Sequence, residues 1–136
     1  MEMLLVSLIA FLTPYFESRR RCYPTMANSV SVAGTTTAWS PGTYTEIVPS
    51  STITSNYRIL EIDVLSVSAT DELELVVATG AASSETIIGS IRFTAVGKYS
   101  FGYSLIPANT RISARLANKG TTAITAKISI AYALES

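Results

Sequence analysis

Beyond Tyr57 the chain alternates apolar and polar residues with a period of two, the pattern of strands that turn one face to a core and the other to water. Leu60, Ile62 and Val64 alternate with Glu61 and Asp63, after which Leu65 and Val67 take the opposite phase, so a bulge is expected near Val64–Leu65. Leu73, Leu75 and Val77 oppose Glu72 and Glu74, and Ile87, Gly89, Ile91 and Phe93 alternate with Ile88, Ser90 and Arg92. Phe101, Tyr103 and Leu105 form another inward set, and Ile112, Ala114 and Leu116 face away from Arg111, Ser113 and Arg115. The last strand sets Ile124, Ala126, Ile128, Ile130, Tyr132 and Leu134 against Thr125, Lys127 and Ser129. Small-residue clusters at 79–84, Gly97-Lys98, Pro107-Ala108-Asn109 and Asn118-Lys119-Gly120 supply the turns.

Upstream, Trp39-Ser40-Pro41-Gly42 marks a turn, and Tyr44–Val48 reads as a short strand stopped by Pro49, hence at a sheet edge. The total is about seven or eight strands, with no helical period of useful length after residue 25. One-sided alternation fits antiparallel sheets with one wet face. Two such sheets face to face predict an all-β antiparallel sandwich, of jelly-roll or immunoglobulin-like type.

The first 25 residues differ. An apolar run over 3–12 is followed by Pro14 and then Arg19-Arg20-Arg21, while Glu2 precedes it. A secretory signal places its basic residues before the apolar run, and a membrane-spanning helix needs about 20 apolar residues. Three readings stand: an arm that packs on a neighbouring subunit, an anchor of reversed orientation, or an upstream-read segment with the natural start at Met26. The expected division is a 1–25 extension and a 26–136 sandwich domain.

Composition narrows the function classes. The 136 residues hold no histidine and a single cysteine, and 10 basic side chains balance 10 acidic ones. No Ser-His-Asp triad, Cys-His pair, thiolate zinc cluster or intrachain disulfide can be built from these residues. A formal charge of zero argues against nucleic-acid binding, whose affinity needs excess Lys and Arg. Ser and Thr account for 35 residues while charged residues are only 15%. A hydroxyl-rich, sparsely charged surface suits a subunit packed against copies of itself or a partner.

The candidate chemistry is correspondingly slim: no catalytic, cofactor-binding or metal-binding residue is expected. Glu61 and Asp63 share one strand face, as do Glu72 and Glu74; a hairpin through 69–71 would unite the four as a cation- or base-attracting face, against the plainer reading of a solvated surface. Arg92, Arg111, Arg115 and Lys127 form the matching basic set, to be paired within the sheet or docked on an acidic partner. Trp39, Tyr44, Tyr57, Tyr99 and Tyr103 are candidates for sugar stacking or for core and rim packing. Cys22 lacks a histidine to activate it, and there is neither a Gly-x-Ser-x-Gly nor a phosphate loop.

Three stretches taken together resemble a known group: residues 39–48 (Trp39 to Val48), 78–88 (Ala78 to Ile88) and 106–115 (Ile106 to Arg115). Their order is similar to that of small β-sandwich virion proteins of tailed bacteriophages and prophages, head-decoration or fibre components, over roughly residues 27–134. The resemblance implies a non-enzymatic virion subunit on a capsid surface or fibre, without cofactors. It would form a homo-oligomer, as a homotrimer, and dock on a major capsid protein or fibre protein, with residues before Tyr57 at the shell contact. The expected interface residues are Trp39, Tyr44, Glu61, Asp63, Glu72, Glu74, Arg92, Arg111 and Arg115. The alternatives are a glycan-binding module of a fibre and, less favoured, a membrane-anchored bacterial surface domain.

Overall fold

The computed structural model describes residues 20–135, the side chains of Tyr103 and Ser104 excepted. The readings placed on the apolar run 3–12, and the inward side chain expected for Tyr103, lie outside the described residues. Nine strands follow in order: β1 (Arg20–Tyr23), β2 (Val30–Ala33), β3 (Thr45–Val48), β4 (Tyr57–Val67), β5 (Leu73–Thr79), β6 (Thr86–Phe93), β7 (Gly97–Ile106), β8 (Ile112–Asn118) and β9 (Thr125–Leu134), with a 3-10 turn at Met26–Asn28.

All described pairings are antiparallel and form two sheets that close a sandwich. The first has the order β1-β9-β4-β7, with β2 also on β9; the second has the order β3-β8-β5-β6. From β2 onward every connection crosses between the sheets except the β5–β6 hairpin. The eight strands β2 to β9 thus interleave as 2-9-4-7 over 3-8-5-6, the jelly-roll order rather than the immunoglobulin one. The core lies between the sheets, with Ile59, Ile62 and Ile130 of the first against Leu73, Leu75, Ile112 and Leu116 of the second, all essentially inaccessible. Tyr57 and Tyr132 close one end of it edge to face, ring centroids 5.3 Å apart.

Besides Leu105, expected inward but 48% exposed, four features depart from the sequence pattern. First, Arg20–Tyr23 of the expected extension is a strand paired with Ile130–Ala133, so the sheet reaches upstream of Met26. Second, β4 carries two irregularities against β9. The one expected near Val64–Leu65 is there, since Val64 faces Ile128 and Ser66 faces Lys127. Another falls between Ile59 and Glu61, and it makes Ile59, rather than Leu60, the core residue. Third, Asp63, expected on a solvated face, is 1% exposed. Fourth, the β4–β5 connection passes from one sheet to the other, so no hairpin unites Glu61, Asp63, Glu72 and Glu74.

Every described edge is short or irregular. β3 spans four residues with a register shift between Glu46 and Val48, and Pro49 follows it. The β5–β6 ladder shifts at Val77/Ala78, and β7 shifts twice against β4 while carrying Lys98. Short length, bulges and a charge are the devices that keep sheet edges from pairing with other chains.

A buried amide secures the loop that precedes β3. Asn118 Nδ2 donates to Thr35 O at 3.0 Å and Gly120 O at 2.8 Å, and its Oδ1 accepts from Thr35 N–H at 3.1 Å. A side chain at Gly34 would collide with Asn118 Oδ1, which explains the glycine there.

Candidate functional site

The outer face of the second sheet gathers most of the residues singled out in the sequence. Before β3 begins, the chain already runs along β8: Trp39 N–H donates to Asn118 O at 2.7 Å and Gly42 N–H donates to Leu116 O at 2.9 Å. The pairing then continues through Thr45 opposite Ala114. Trp39 takes a positive φ of 56°, a conformation that few non-glycine residues adopt. This track sets two aromatic rings within reach of the arginines of the sheet. The Arg92 guanidinium lies 4.8 Å from the Trp39 ring centroid, and that of Arg115 lies 4.7 Å from the centroid of Tyr44. Both distances are within cation–π range.

Charges on this face are interleaved. Glu74 and Arg92 are directly opposite in the β5–β6 ladder, and Arg92 Nε donates to Glu74 Oε2 at 3.1 Å. Arg111, its side chain only 14% exposed, is a hub: Nε donates to Glu46 Oε2 at 2.8 Å, one Nη donates to Gly80 O at 3.0 Å, and Glu85 Oε1 lies 3.6 Å away. Glu85 also accepts Ser83 N–H at 2.8 Å, which ties the 79–85 loop to the same cluster. Lys119 pairs with Glu72 at 3.4 Å. The sequence suggested an acidic face opposed to a basic one; the fold instead puts acids beside bases, as the plainer reading of pairing within the sheet required.

Two shallow grooves open beside Arg111. One, of about 530 Å³, runs between Glu46, Ser50, Ala81 and Asn109. The other, of about 450 Å³, lies between Thr43, Tyr44, Ser83, Glu85 and Arg115. Serine, threonine, a tyrosine and two arginines are groups that bind by planar contact and hydrogen bonding. Among the described residues no cluster of three or more His, Cys, Asp and Glu could hold a metal ion. No described helix is long and apolar enough to cross a membrane.

Glu61 and Asp63 stand apart, on β4 of the first sheet. Arg20 of β1 grips Glu61 with two hydrogen bonds, at 3.1 and 2.9 Å, and holds its carboxyl below the usual range. Asp63 faces Ser129 of β9 and Lys98 of β7 in register, and neither of its oxygens has a hydrogen-bond partner. Burial pushes its carboxyl above the usual range, with Lys98 pulling the other way. Of the nine residues named from the sequence, Trp39, Tyr44, Glu74, Arg92, Arg111 and Arg115 therefore belong to one surface, with Glu72 at its margin. Glu46 and Glu85 were missed. Glu46 could have been found by its outward phase, whereas Glu85 sits in a loop whose path no periodicity reveals.

No protein-family model matches the chain, and no curated protein matches it. Among solved structures it is similar to the N-terminal endo-1,4-β-D-xylanase 10B of Clostridium thermocellum, seen as CBM22-1–GH10 modules complexed with xylohexaose. The TM-score is 0.36 at 10% identity, over 85% of this chain and 26% of that one. The chain thus spans about a quarter of that structure's length.

Proposed function

We propose that this chain is a non-enzymatic structural subunit of a tailed-phage virion, of the capsid-decoration or head-fibre type, that docks through the outer face of its second sheet. The observation that carries the reading is the pair of stacks Arg92 on Trp39 and Arg115 on Tyr44 on one sheet face. Trp, Tyr and Arg are the residues most enriched at the energetic centres of protein interfaces, where planar groups bury much area with little loss of freedom. Trp39 and Tyr44, the two candidate rings on this face, already have a guanidinium against them, which favours a protein contact over sugar stacking. The irregular edges turn assembly from strand addition toward docking by faces. The jelly roll serves both capsid and lectin proteins, so the fold agrees with the reading without selecting it. Assembly as a closed homo-oligomer, a trimer by the resemblance, would repeat the face around an axis and let one particle contact reinforce the next.

The test is co-sedimentation of the purified chain with particles that lack it, together with its mass by sedimentation equilibrium. The reading expects an oligomer retained on particles, and retention lost in Trp39→Ala. A monomer that is not retained would sink it.

A further inference from the structure

We infer that the groove between Tyr44 and Glu85 seats a carboxylate of the docking partner, an Asp or Glu side chain, on Arg115; this rests on the docking reading above. Among the described residues, Arg20, Arg58, Arg92, Arg111 and Lys119 each have a carboxylate within 4 Å. Arg21, Lys98 and Lys127 have none but are exposed to water. Arg115 alone is partly buried with no carboxylate in reach, and its Nε is fully buried without an acceptor. A cation drawn partly from water without a counter-ion is unfavourable, and the imbalance is relieved when a ligand brings the anion to the side of the guanidinium that lines the groove; the Nε, which has no exposed surface, is not itself within a ligand's reach.

The acids of the site are already engaged. Glu46 receives Arg111 Nε–H, and Glu85 receives Ser83 N–H and faces Arg111. The Tyr44 ring lies 4.7 Å from the Arg115 guanidinium, within cation–π range. A planar fork matches a carboxylate by two parallel hydrogen bonds. Glu85 in the same groove disfavours a dianion such as phosphate more than a singly charged carboxylate. At about 450 Å³ and open to solvent, the groove also exceeds what one carboxylate fills, leaving room for the segment that carries it.

Two measurements on the full chain test this. In the first, the Arg115 Nε–H resonance, identified by its loss in Arg115→Lys, is followed by NMR while N-acetylglutamate amide is added. Sodium chloride, phosphate and glucuronate serve as comparisons at equal ionic strength. A saturable shift with the glutamate derivative, weakened in Tyr44→Ala, is the expected result. A response no larger than that to chloride overturns the site, and a larger one to phosphate or glucuronate overturns its assignment to a protein carboxylate. In the second, Arg115→Gln is expected to weaken retention on particles by about tenfold to a hundredfold, the range of a charge-assisted hydrogen bond. Arg115→Lys, which keeps the charge without the fork, should recover only part of it. Both variants are first checked for an unchanged melting transition. Unaltered retention in both overturns this inference alone, whereas a wild-type chain that is not retained at all removes the docking reading and the partner with it.

Discussion

Two carboxylates on one strand, two positions apart, have opposite fates because of what lies beside each. Glu61 meets Arg20 in two hydrogen bonds, so its carboxyl is held below the usual range. Its contribution to stability is present above the ordinary Glu range and is lost as pH falls through the lowered value. Both side chains remain part-exposed, so Glu61→Gln is expected to lower stability at neutral pH by only about 0.5 kcal/mol. Asp63 is the reverse case. Buried without hydrogen-bond partners, it binds its proton more tightly in the folded than in the unfolded state. Stability therefore falls as pH rises from the ordinary Asp range through the raised value. Asp63→Asn should remove that fall and raise stability at neutral pH by about 1 kcal/mol or more, read from urea unfolding between pH 4 and 8. Asn118 supplies a third residue-level test. Its three hydrogen bonds are made in a buried position, so Asn118→Ala is expected to lose about 2–4 kcal/mol and to loosen the loop that places Trp39.

At the level of the strand, β4 shows how one extra residue redirects a pattern. Strict alternation from Leu60 to Val64 would put Leu60 in the core, but the shift between Ile59 and Glu61 gives that place to Ile59. Ile59→Ala should accordingly cost about 2–5 kcal/mol in denaturant unfolding, and Leu60→Ala clearly less. An equal cost for the two would contradict the register. The long strand β9 is buried on both sides over much of its length, including Ser129 and Ala131, and the chain at Pro24 lies against Ser129. Ser129 Oγ donates to Pro24 O at 2.6 Å. Period two is read easily where one face is wet and fails where both are covered.

For the molecule as a whole, β1 ties a segment of distinct composition into the first sheet. A chain begun at Met26 would lack the Arg20–Glu61 pair and the ladder on Ile130–Ala133, and would leave that length of β9 as an unpaired edge. It is expected to melt several degrees lower than the full chain and to self-associate on heating, as followed by calorimetry and light scattering. The outer face of the second sheet makes a different demand. Trp39 is 38% exposed, so Trp39→Ala should change the melting point little while removing particle retention.

What the sequence by itself determined was the class of fold and the edge position of Tyr44–Val48. Alternation, turn residues and a following proline are local properties, and hydrophobic burial acts on them the same way in any antiparallel sandwich. The choice of jelly roll, the separation of Glu61 and Asp63 from Glu72 and Glu74, and the meeting of Arg92 with Trp39 belong to the tertiary structure. Each depends on which sheet a strand joins after its turn, and that is decided by packing between residues tens of positions apart, which no local period records.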